Sequence, residues 1–122
     1  MGRLRPDFLE RVETFGDRVL DVTLALEKIR ISRRILDQIS ACCTSVGANT
    51  FEADEAMSRK DFCKCLGIAL KELNETRYWL RLITRRKWVR ATRLGNLLAE
   101  TDELRRILGA IISNTKDSDE ED

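Results

Sequence analysis

From Ile35 to Ile83, apolar and small residues return every three or four positions on both sides of a single break, a pattern that paired helices can bury. The first half carries Ile35, Ile39, Cys42, Val46, Ala53 and Ala56; the second carries Phe62, Leu66, Ala69, Leu73, Leu80 and Ile83. An α-helix comes back to the same face at that interval, so each set is one buried stripe and the two together predict a helical hairpin. Asn49 is the polar exception on the first stripe.

The rest of the chain repeats the pattern. Phe8, Val12, Phe15, Val19, Val22 and Leu26 predict a helix over about Asp7–Glu27, with Pro6 suited to its opening turn. Ser32 is placed to cap a second helix running to about Ala56, with Gly47 inside it. Ser58 followed by Asp61 has the spacing of a capping box and starts a third helix that lasts to about Arg86. After a turn over Lys87–Ala91, Thr92 is placed to cap a fourth helix ending near Thr115, with Leu94, Leu97, Leu104, Leu108 and Ile111 on its seam. The 122 residues hold one proline and are 35% charged, the profile of amphipathic helices with solvated outer faces. The expected fold is all-α, an antiparallel up-down four-helix bundle over residues 1–116. Residues 117–122, DSDEED, hold five acids and no apolar side chain, and are expected to form a disordered acidic tail.

That tail disguises the charge of the body. The chain has 22 basic and 21 acidic residues; without the five tail acids the basic residues face 16, leaving +6. The N-terminal stretch MGRLRPDFLERVE has no apolar run of signal-peptide length and no later window approaches a membrane span, so a cytoplasmic location without membrane contact is expected. In that compartment Cys42, Cys43, Cys63 and Cys65 stay reduced and act as small buried hydrophobes. The chain has no histidine, and both cysteine pairs fall within helices at spacings that point their thiols apart, so no metal or other cofactor is expected.

Residues 77–93 contain Arg77, Arg81, Arg85, Arg86, Lys87, Arg90 and Arg93 with no acid among them, and interleave Tyr78, Trp79 and Trp88. Guanidinium groups bind phosphate oxygens and aromatic rings stack on bases, so this combination suits RNA or DNA. Lys28, Arg30, Arg33 and Arg34 form a second basic group around the first connection, and an up-down bundle puts both groups at one pole. The alternative is a solvated helix face whose arginines pair with neighbouring acids and whose aromatics fill core or interface. Asn49 on the apolar stripe is expected to fix helix register, within a polar network completed by Glu52, Glu72 and Glu75. Those carboxylates come with no histidine, phosphate-cradling glycine loop or activated nucleophile, so the chain is not expected to be an enzyme.

The run VGANTFEA followed by SRKDFCKCLGIALKELNETRYWL resembles the signature of the four-helix bundle proteins also called the 23S rRNA-intervening-sequence protein family. The matching positions are Asn49 and Glu52, then Lys60, Asp61, Phe62, Leu66, Ala69, Leu73 and Glu75; Ala53 stands where glycine is usual and Gly47 where many members carry proline. The resemblance implies an antiparallel bundle that assembles as a homopentamer, encoded in some bacteria within insertions in large ribosomal RNA genes. It is also similar in architecture to the accessory proteins of diversity-generating retroelements, which bind nucleic acid and a reverse transcriptase. A pentamer needs apolar surface outside each core, for which Leu9, Leu20, Leu24, Phe51, Trp79, Leu98 and Ile112 are candidates. Two expectations follow: a non-enzymatic oligomer that binds nucleic acid, or a scaffold or accessory subunit for a protein partner that binds none.

Overall fold

A computed structural model of the chain describes the backbone of residues 2–121 and the side chains through residue 117. The elements are α1 Pro6–Lys28, α2 Arg33–Asp54, α3 Arg59–Arg86, a single turn α4 Ala91–Leu94, and α5 Leu97–Glu121. Among the described residues there is no strand. Apart from α4, the helices pack in a closed ring, α1 on α2, α2 on α3, α3 on α5 and α5 on α1. Leu4 N donates to Asp54 Oδ1 at 2.6 Å, tying the start of α1 to the end of α2. Residues 29–32 and 55–58 are short links, consistent with the order of an up-down bundle.

Both expected stripes are inside. Ile39, Cys42, Val46, Ala53, Leu66, Leu73, Leu80 and Ile83 are buried with Phe15, Leu26, Leu104 and Leu108, while Ile35 and Ala56 are half-buried at the margin. Four threonines share that core: Thr23, Thr50, Thr76 and Thr101. Thr50, Thr76 and Thr101 donate to the carbonyls of Val46, Glu72 and Leu97 one turn back. Thr23 donates to Leu20 O. Threonine can therefore occupy an apolar seam by bonding a carbonyl of its own helix.

The helix ends follow local chemistry with three departures. Ser58 caps α3, its hydroxyl accepting from Asp61 N at 3.1 Å, which is half of the expected box. Ser32 sits at the cap position of α2 but its side chain makes no capping bond. Thr92 does not cap a long helix; it lies within α4, and the backbone breaks at Gly95, with φ 51°, before α5. The leucines 94, 97 and 98 keep helical spacing across that break, which hid it in the sequence. The expected tail over 117–122 falls mostly on residues whose side chains lie outside those described, while α5 is bounded at Glu121 rather than near Thr115.

Candidate nucleic-acid interface

Two connections, residues 29–32 and 87–90, leave the bundle at one end, where α1 and α3 finish and α2 begins. Both α1 and α3 stop in the same way. Arg30 N bonds Glu27 O at 3.1 Å and Ile31 N bonds Leu26 O at 3.2 Å; Lys87 N bonds Thr84 O at 3.1 Å and Trp88 N bonds Ile83 O at 3.2 Å. This is a Schellman closure, which needs a left-handed residue that is usually glycine. Here Arg30, at φ 61°, and Lys87, at φ 56°, take that position. The following Ile31 and Trp88 fold back onto the core and anchor each turn, leaving both cations exposed.

The pole gathers most of the expected cations. Lys28, Arg30, Arg34, Arg81, Arg85, Lys87, Arg90 and Arg93 are exposed, and among the described residues none of them makes an ion pair. Arg93 shares a small concavity with Arg18, Val22, Ala25 and Val89, which sets α4 beside the last turns of α1. Arg86 lies over the Trp88 ring at 5.9 Å, a cation–π contact that holds both side chains in place. Arg33 is partly engaged, its Nε 3.3 Å from Asp37 Oδ1 one turn along α2.

Arg77 is not at the pole. It stands eight residues before Arg85, about 12 Å down α3 at about 1.5 Å per residue, and donates Nε to Asp102 Oδ1 at 2.7 Å. Arg105 donates to the same Asp102 oxygen at 3.2 Å and to Asn74 Oδ1 at 2.6 Å. The bonds and charge of Arg77, followed by those of Arg105, hold the Asp102 carboxyl below its ordinary pKa. Arg105 and Arg106 are cations that the sequence pattern does not single out. Their one signal is the three- and four-residue spacing from Asp102 and Glu103 along a single helix, which by itself describes a solvated face.

A family model described as the 23S rRNA-intervening sequence protein matches residues 7–110. The chain belongs to that family. Among solved structures, this family member is similar to a protein of unknown function from the S23 ribosomal protein family of Bacteroides thetaiotaomicron, at 34% identity and a TM-score of 0.77. The match covers 85% of this chain and 96% of that one. No curated protein matches the chain.

In this 23S rRNA-intervening sequence family member the Asn49 motif does not make the expected interhelical network. Half-buried Asn49 donates to Ser45 O at 2.9 Å and Ser45 Oγ at 3.0 Å, both on its own helix. Glu52 is exposed beside it, and the two line a concavity with Cys65 and Ile68 of α3. Glu75 accepts from Trp79 Nε1 at 3.3 Å, and Glu72 serves Thr76 through its backbone carbonyl. Among the described residues no hydrogen bond joins any two of Asn49, Glu52, Glu72 and Glu75. The α2–α3 polar contact is instead between Thr76 Oγ1 and Cys42 Sγ, 3.2 Å apart.

Two other features bear on chemistry. All four cysteines are free, with Cys42 and Cys43 buried. Burial, above the other causes, pushes the Cys42 thiol up to about 11 and the Cys43 thiol up to about 12, so both stay protonated near neutrality. At the opposite pole a concavity of about 760 Å³ lies between the starts of α1 and α3 and the second half of α5, with Leu4, Phe8, Phe62 and Ile111 among its walls. Its Arg11 is held by both oxygens of Glu100, at 2.8 and 2.6 Å, and its Arg3 by Ala56 O at 2.9 Å. No helix among the described residues is long and apolar enough to cross a membrane, and none of their acidic, cysteine or histidine groups cluster as a metal site.

Proposed function

We propose that this member of the family is a non-enzymatic, oligomeric nucleic-acid-binding bundle whose cationic pole makes the phosphate contacts. The supporting observation is the convergence of Arg34, Arg81, Arg85, Arg86, Lys87 and Arg90 from three chain segments at one end, exposed and with no acid in 77–93. Phosphate attraction of this kind is sequence-tolerant and weakens steeply with salt. The test is binding of a labelled RNA oligonucleotide at several salt concentrations. Neutralising Arg85, Arg86 and Lys87 lowers the salt slope by roughly 0.7 for every phosphate that a cation no longer meets on a single strand. Undetectable binding at low salt would falsify this function.

Assembly of several copies would multiply modest contacts at each pole. Leu24 is 58% exposed on α1 and Phe51 38% exposed on α2, and half-buried Leu20 lines the concavity that ends at Phe51. This stripe supports self-association, with the pentamer as the expected stoichiometry from family resemblance. The same exposed stripe favours the scaffold reading, in which a protein partner such as a reverse transcriptase covers it and nucleic acid plays no part. A Leu24→Glu, Phe51→Glu variant that sediments as a smaller species while keeping its pole separates the two. Loss of oligonucleotide affinity on disassembly supports the first, and absence of any affinity in the intact protein supports the second. Deleting residues 117–122 is expected to raise low-salt affinity, because the five acids compete with phosphate.

A further inference from the structure

The α3–α5 flank carries a cation cluster separate from the pole. Arg77, Arg105, Arg106 and Asp102 line a shallow concavity of about 430 Å³. Arg77 commits Nε to Asp102, and Arg105 commits Nε to Asn74 and one terminal nitrogen to Asp102. A guanidinium has five N–H donors, so most of the donors in this cluster are not used by those bonds. Arg106 is paired with Glu103. Three guanidinium groups thus face two carboxylates, and Asp102 sits between Arg77 and Arg105 where an external anion would otherwise bridge them.

Between this cluster and the pole, Arg77, Tyr78, Arg81 and Arg85 follow one another at one-, three- and four-residue steps along one side of α3. Tyr78 is 54% exposed, and its ring stands edge-on against Trp79, with centroids 5.3 Å apart and planes at 70°. Trp79 in turn is held by its bond to Glu75. An oriented, open ring between guanidinium groups suits base stacking, and only an unpaired base has a face to offer it. From Arg77 to Arg85 the track is about 12 Å, the rise of roughly three to four stacked nucleotides at about 3.4 Å each.

We infer that the ligand is single-stranded RNA or DNA lying along α3, from the pole past Tyr78 to a phosphate subsite at Arg77 and Arg105 that Asp102 occupies until the strand displaces it. The inference rests on the nucleic-acid reading above. Asp102 acts as an internal competitor, so removing its charge strengthens binding through two freed guanidinium groups.

The experiment is fluorescence anisotropy of the full chain at low salt with a 12-nucleotide single strand and with a duplex of the same length. Asp102→Asn is expected to tighten single-strand binding about fivefold, the order of one unit-charge repulsion removed at close range in water. Glu10→Gln, the same charge change on an exposed position of α1, is expected to alter it less than twofold. Tyr78→Leu is expected to weaken the single strand about tenfold and the duplex hardly at all, in line with the removal of one stacking platform. Arg85→Gln with Arg86→Gln weakens both. If the pole variant removes binding while Asp102→Asn and Tyr78→Leu stay within twofold of the parent, or if duplex binds as well as single strand, the inference is overturned and the proposed function stands. If the parent binds neither oligonucleotide, both fall.

Discussion

Replacing Lys87 by glycine should leave the protein more stable than the alanine variant at the same position, and a weaker nucleic-acid binder than the parent. Lys87 closes α3 at φ 56°. A Cβ in that left-handed region costs about 1–2 kcal/mol, and glycine avoids the cost. Against this, glycine adds unfolded-state freedom worth about 0.4–1 kcal/mol. The net gain over alanine at the same position is therefore about 0.5–1 kcal/mol, roughly 2–5 °C in melting temperature for a domain of this size. Alanine is the proper reference because both variants remove the same charge from the last turn of α3. Urea unfolding of Lys87→Gly and Lys87→Ala, at matched protein concentration, isolates the backbone contribution. Oligonucleotide affinity should fall equally in the two, since both lose the same cation. A glycine variant no more stable than the alanine variant would refute the assignment of strain to this turn, and so would unequal losses of affinity.

The cap of α3 gives a second measurement: Ser58→Ala, which strips the hydroxyl that accepts from Asp61 N, should cost about 1 kcal/mol by chemical denaturation. Truncating the fully buried Leu73 to alanine should cost about 2–5 kcal/mol, and a loss under about 1 kcal/mol would mean the α2–α3 seam is loosely packed. Asp102 has a folded pKa below its unfolded value of 3.8, so its pairing stabilises above pH 3.8 and is lost as pH falls through the lower, folded value. Asp102→Asn should flatten the acid limb of stability against pH in that window. In thiol titration of the native protein near pH 8, Cys42 and Cys43 should react only on unfolding, with Cys63 and Cys65 the faster pair.

Helix existence was legible because burial sets a period that the side chains must keep. Leu66, Leu73, Leu80 and Ile83 announce α3 however their neighbours vary, and all are buried. The break at Gly95 is silent because the leucines around it stay in phase, and one residue at positive φ changes direction without changing the pattern. Thr50 and Thr76 are silent for a related reason: sequence registers their polarity, but the i−4 carbonyl that satisfies each hydroxyl appears only once the helix forms. Asn49 shows the converse. Its place on the stripe points its amide across the seam, yet Ser45 on its own helix is the nearer partner. The pole was readable since two short connections of a bundle must share an end, whereas the Arg77–Asp102–Arg105 cluster depends on the lateral register of α3 against α5, which no single-chain spacing reveals.

The pole breaks rules of local stability in a way that a merely solvated face does not require. Lys28 in the last turn of α1, and Arg85 and Arg86 in the last turn of α3, oppose the negative end of each helix dipole and so stabilise it. Arg33 and Arg34 do the reverse: they occupy the first turn of α2, which holds no acid, where positive charge is unfavourable by about 0.3–1 kcal/mol each. Arg33 offsets this with Asp37, while Arg34 makes no ion pair among the described residues. Together with the left-handed Arg30 and Lys87, three cations at one end stand where another residue would stabilise the fold. Departures of that kind, gathered at one place and of one sign, are what the proposed phosphate-binding pole would require. Arg34→Glu should then raise unfolding stability by about 0.5–1 kcal/mol through the dipole while lowering oligonucleotide affinity and its salt slope. If stability falls, or affinity is unmoved in a protein that binds, the cations at α2 belong to the scaffold and not to the ligand.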